Sequence, residues 1–124
     1  MSNNTSDEDD QMRANHGLEV QPAPKSNQYP SAHELVEFDL VNATPMQLNL
    51  RTEYANIINV FNSLAYVLNV DPVEIMEARK NFGREKYGTL LQPHNGRDQL
   101  HDALDELADA LVYYRCKLYE ENGR

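Results

Sequence analysis

Leu50-Arg51-Thr52-Glu53-Tyr54-Ala55-Asn56-Ile57-Ile58-Asn59-Val60-Phe61-Asn62-Ser63-Leu64-Ala65-Tyr66-Val67-Leu68 is the stretch that decides the fold. Leu50, Tyr54, Ile57, Phe61, Leu64 and Leu68 recur at steps of four, three, four, three and four, the spacing of one seam along an α-helix. Strand alternation, which repeats every second residue, does not fit. Upstream, Thr44-Pro45-Met46-Gln47 reads as a helix start, with Thr at the N-cap, Pro in the first turn and Gln three residues after the cap. Counted from there, a helix of about 24 residues is expected, with Asn69 as its stop.

Working outward, Asp71-Pro72-Val73-Glu74 repeats the start signal and predicts a second, shorter helix from Pro72 to about Lys86, weakened by Gly83 and ended at Tyr87-Gly88. Thr89 to Gly96, with Pro93 and Asn95-Gly96, reads as a loop. Arg97 or Asp98 opens a third helix to about Glu121, on which Leu100, Leu104, Leu107, Leu111, Tyr114 and Leu118 repeat the same seam spacing. The expected fold is therefore all-α, a helical bundle of two long helices and one shorter one, completed by oligomerisation. Residues 44–121 form its helical domain. Residues 31–43, with Leu35, Phe38 and Leu40, fit either a short helix or an extended arm. Residues 1–30 hold few large apolar groups and are expected to be a flexible acidic and polar tail.

With 124 residues the chain has room for one domain, and a tail of that length leaves little core, which favours self-association. A net charge of -9 repels phosphate backbones, and no basic stripe offsets it, so no nucleic-acid partner is expected. No apolar run reaches the roughly 18 to 20 residues of a membrane span, and no signal peptide follows Met1, so a cytoplasmic location without membrane contact is expected. Cys116 is the only cysteine, which excludes an intrachain disulfide and a finger-type zinc site; it is read as a helical surface or interface residue.

The chemistry-bearing pattern lies on the third helix. With successive residues turned by about 100°, Asp98, Asp102, Asp105, Glu106 and Asp109 share one face. Crowded carboxylates repel, so they favour open water or a bound cation, and Mg²⁺ suits hard oxygen ligands better than zinc does. The arc points away from the leucine seam, as a merely solvated face would. Past Asp109, however, Ala108 to Tyr114 is apolar nearly all round, a pattern that predicts burial on more than one side and an acidic patch at the edge of a second interface. A second pair, Glu74 and Glu77, has the E-x-x-E spacing, although Glu74 also fits a capping box with Asp71. Glu34 and Glu37 share that spacing in the uncertain arm and are discounted. His94 and His101 read as surface histidines, and no Ser-His-Asp or Cys-His set or phosphate-binding glycine loop occurs.

Asp105-Glu106-Leu107-Ala108-Asp109-Ala110-Leu111-Val112-Tyr113 resembles the E-L-x-D-x-L-x-Y segment of MazG-like, all-α nucleoside triphosphate pyrophosphohydrolases. Glu85 through Lys86-Tyr87-Gly88-Thr89, then Leu91 and Asn95-Gly96-Arg97-Asp98, is similar to the short MazG-like proteins of tailed bacteriophages. The resemblance spans about residues 71–121 and departs from the family at Val73, where a further glutamate is usual, and in the longer loop with Pro93. It implies catalytic residues Glu106, Asp109 and Glu77, and a Mg²⁺ site built from Glu74, Glu77, Glu106, Asp109 and Asp102. It further implies water attack on the α-phosphorus of a nucleoside triphosphate, release of pyrophosphate, and a dimer or tetramer in which neighbouring chains build each site. Lys80, Arg84, Lys86 and Arg97 are the nearest cations for phosphate oxygens, and Tyr87, bordering the loop, is the one tyrosine expected near the substrate. If the chain is phage-encoded, the expected location is the host cytoplasm. A second reading is a non-catalytic helical oligomer, a phage or regulatory protein that binds a partner or a nucleotide.

Overall fold

The computed structural model describes residues 22–124, and these form four helices and no strand: α1 (Ala32–Val41), α2 (Leu50–Val67), α3 (Pro72–Tyr87) and α4 (Gln99–Asn122). The fold is all-α, as the periodicity predicts. The expected tail lies outside the described residues as far as residue 21. The chain divides into two compact units, one made of Gln47–Asn95 and the other of Lys25–Met46 with Gly96–Arg124. The first carries α2 and α3; the second carries α1 and α4.

In the first unit, α2 begins at Leu50, five residues after the Pro45 start expected from Thr44. The reason is a better cap. The Asn49 side chain accepts from the Thr52 amide at 3.1 Å, and the Asn49 amide donates to Glu53 at 3.2 Å, so two otherwise unpaired donors are satisfied reciprocally. The helix ends where Asn69 takes a left-handed φ of 56°. Asp71 then caps α3 by accepting from the Val73 amide at 2.8 Å, with Pro72 in the first turn where its missing N–H costs nothing. Gly88, at φ 75°, closes α3 in the left-handed conformation that a Cβ would disfavour. Helices α2 and α3 meet over a short stretch. The only buried apolar residues among those described are one alanine on each, Ala65 and Ala78.

In the second unit the open choice at residues 31–43 resolves to a helix: Ser31 accepts from the Glu34 amide at 3.1 Å and starts α1. At ten residues α1 is too short to be stable alone, and it has no buried residue of its own. What holds it is α4. Arg115 donates through Nε to Asp39 Oδ2 at 2.9 Å and through Nη1 to the Arg124 carbonyl at 3.1 Å. Tyr29 meets Tyr119 edge to face, with centroids 6.2 Å apart. Between the two helices lies an open groove of about 480 Å³, lined by Val36, Leu40, Leu111, Tyr114 and Leu118 among others. The Ala108–Tyr114 stretch departs from expectation. Its all-round apolar character predicts burial on several sides, yet α4 has no fully buried residue, and Leu111, Tyr113 and Tyr114 are exposed in the single chain. Within this unit α1 supplies one covering, and the unit holds no second helix to supply another.

Candidate metal and phosphate site

Asp98, Asp102, Asp105, Glu106 and Asp109 do not have equal roles on α4. Asp98 is the N-cap, accepting from the His101 amide at 3.0 Å, so its charge serves the helix terminus. Asp102 is gripped by Arg97 through two parallel bonds, Nε to Oδ2 at 2.9 Å and Nη2 to Oδ1 at 3.0 Å. This planar fork holds the Asp102 carboxyl below the ordinary aspartate range, first by the hydrogen bonds and then by the charge of Arg97. Asp105 faces His101 Nδ1 at 3.7 Å, an attraction that exists when the imidazole is protonated. Glu106 and Asp109 remain, three residues apart on one face, and no ion pair or hydrogen bond joins either side chain to another described residue.

On α3, Glu77 pairs with Lys80 at 2.8 Å across one turn, both side chains about half exposed. Glu74 is not held by its own cap: Asp71 bonds the Val73 amide, and no hydrogen bond from Glu74 is present among the described residues. Asp71 therefore caps α3 alone, and the reciprocal half of a capping box open to Glu74 from its spacing is not formed among the described residues. Arg84 and Lys86 stand in the last turn of α3, where cations suit the negative end of the helix, and Lys86 lies 5.7 Å from the Tyr87 ring centroid. Tyr87 itself is exposed at the start of the loop.

Glu74, Glu77, Lys80, Arg84, Lys86 and Tyr87 therefore belong to the first unit, and Arg97, Asp102, Glu106 and Asp109 to the second. Within each unit, no three His, Cys, Asp or Glu side chains among the described residues gather closely enough to hold a metal ion. Exposed carboxylates such as Glu106 and Asp109 are hard oxygen donors of the kind Mg²⁺ prefers, but within the described residues they do not by themselves make a metal site. Sequence reasoning finds the acidic face but misses the Arg97–Asp102 fork and the Asp39–Arg115 clasp. Cys116 is exposed, in line with its reading as a surface or interface residue. No helix among the described residues is long and apolar enough to cross a membrane. No family model, no curated protein and no solved structure matches the chain.

Proposed function

We propose that this protein is a Mg²⁺-dependent nucleotide pyrophosphohydrolase that releases pyrophosphate from (d)NTPs. The observation that carries the reading is the pair Glu106 and Asp109, which has no ion-pair or hydrogen-bond partner among the described residues and matches the E-x-x-D of the MazG-like segment. Among the described residues, their neighbours Asp98 and Asp102 are engaged by a cap and an arginine and Asp105 faces His101, whereas Glu106 and Asp109 have no such partner.

Glu106 and Asp109 would hold the ion, with Glu77 and Glu74 completing its carboxylate set within a homo-oligomer and Asp102 one turn away. When bound, Mg²⁺ cancels triphosphate charge against an acidic chain and lowers the pKa of a water. The chain's own groups do the rest. Lys80, Arg84, Lys86 and Arg97 bind phosphate oxygens and balance the charge that builds on departing pyrophosphate as water attacks the α-phosphorus. For Lys80 and Arg97 this means leaving Glu77 and Asp102, which frees those carboxylates for the cation side of the site. The products are a nucleoside monophosphate and pyrophosphate.

The test is pyrophosphate release from a panel of dNTPs and NTPs with Mg²⁺, beside Glu106→Gln and Asp109→Asn. Loss in both variants is expected, and activity unchanged by both would remove the site. A second reading, a non-catalytic helical interaction protein, draws support from the many large apolar side chains exposed in the single chain. It predicts no turnover of any nucleotide and unaltered partner binding in the same two variants.

A further inference from the structure

We propose that α1 is a strap that closes over α4, and that the turn following α4 sets its latch. The inference is independent of the proposed activity. Helix α1 buries little on closing: Ala32, Leu35 and Val36 are partly buried, whereas Phe38 is 68% exposed, Leu40 60% and Val41 84%. So thin an apolar contact leaves a ten-residue helix dependent on the few side chains that tie it down. Two ties hold this segment to α4, Asp39 to Arg115 Nε at 2.9 Å and Tyr29 to Tyr119 edge to face.

Arg115 and Tyr119 also anchor the turn. Gly123 takes a left-handed φ of 69° and donates its amide to the Tyr119 carbonyl at 2.7 Å, which turns the chain back until the Arg124 carbonyl accepts from Arg115 Nη1 at 3.1 Å. One guanidinium thus bonds the turn and the strap at once. Fixing a long arginine side chain costs rotamer freedom, and the Arg124 carbonyl already restrains this one before Asp39 arrives. The turn therefore favours the Arg115 conformation that α1 needs, and a closed α1 favours the turn in return.

Amide hydrogen exchange on the full chain tests the coupling, with Gly123→Val as the perturbation. A Cβ at this position meets open space, so the variant acts through backbone strain in the turn. Exchange over Ala32–Val41 should quicken about threefold, the effect of one modest hydrogen bond, with Leu50–Tyr87 unchanged. Gly123→Asn, which tolerates the left-handed conformation, should keep α1 close to wild type. In the reverse direction, Asp39→Asn should speed exchange of the Gly123 amide. In an Arg115→Met background, which lacks the shared guanidinium, Gly123→Val should add nothing at α1. The proposal is overturned if Gly123→Val frees its own amide yet leaves α1 as it was, or quickens α1 equally with and without Arg115. Should Gly123→Val keep its turn, Asp39→Asn decides: a Gly123 amide that still exchanges at the wild-type rate sinks the coupling. Pyrophosphate release plays no part in this readout, so failure here and failure of the proposed activity are separable.

Discussion

Replacing Arg115 with methionine keeps the aliphatic stem that packs beside α1 and removes the guanidinium that holds Asp39. The side chain of Arg115 is 15% exposed and that of Asp39 52%, so the pair lies between a solvated ion pair and a buried one. Solvated pairs contribute roughly 0.2 to 1 kcal/mol, and sheltered hydrogen bonds to charged groups roughly 1.5 to 3. Discounting for the open side of Asp39 leaves about 1 kcal/mol, close to a fivefold change in a local opening equilibrium. A ten-residue helix without this clasp should open more often from α4 while α2 and α3, in the other unit, are untouched. Amide hydrogen exchange reads this directly: Ala32–Val41 should exchange about fivefold faster in Arg115→Met and in Asp39→Asn, with no change over Leu50–Tyr87. In the double variant the effect should stay near that of one substitution, since both remove the same interaction. Unchanged α1 exchange in both single variants, or effects that simply add in the double one, would refute the reasoning.

Other substitutions probe the remaining joints. Ala78→Leu forces extra volume into a buried position of α3 and should cost about 1 to 3 kcal/mol in chemical denaturation, whereas Ala78→Gly should cost less than about 1.5. Asp98→Ala removes the α4 cap and should lower thermal stability by about 1 kcal/mol, most of it restored by Asp98→Ser. Arg97→Gln should raise the Asp102 pKa towards the ordinary aspartate value, read by carboxyl carbon resonances; a titration that stays low would mean that Arg97 is not the cause. Because the folded pKa is the depressed one, the stabilisation from this pair is complete above about pH 3.9 and is lost as pH falls through the lowered value.

Helix existence was legible wherever seam spacing and a cap signal coincided. Asp71-Pro72, Gly88 and Asp98 mark the ends of α3 and the start of α4 because each residue's own chemistry satisfies or frees a backbone group there. The start of α2 was misread for the same reason that the others succeed. Thr44-Pro45 matches a start template, but Asn49 with Glu53 satisfies more donors closer to the seam, and tertiary structure follows the better cap. For α1 the deciding signal was present in Ser31-Ala32-His33-Glu34, whose first and fourth residues carry the N-terminal signature; the ten-residue length hides it from periodicity. At the candidate site, helical geometry alone places the five carboxylates on one face. Sorting them into cap, ion pair and unpaired groups depends on where Arg97 turns, and that is a rotamer choice outside any spacing rule. The Asp39–Arg115 clasp joins residues 76 positions apart, so no local pattern announces it.

The proposed activity requires Glu106 and Asp109 to hold a divalent ion, and trace Mn²⁺ in place of Mg²⁺ tests that without relying on turnover. Paramagnetic broadening of side-chain carboxyl resonances should appear first at Glu106 and Asp109, and leave Glu34 and Glu120 sharp. No preferential broadening at Glu106 and Asp109, or broadening spread evenly over all surface carboxylates, would contradict it.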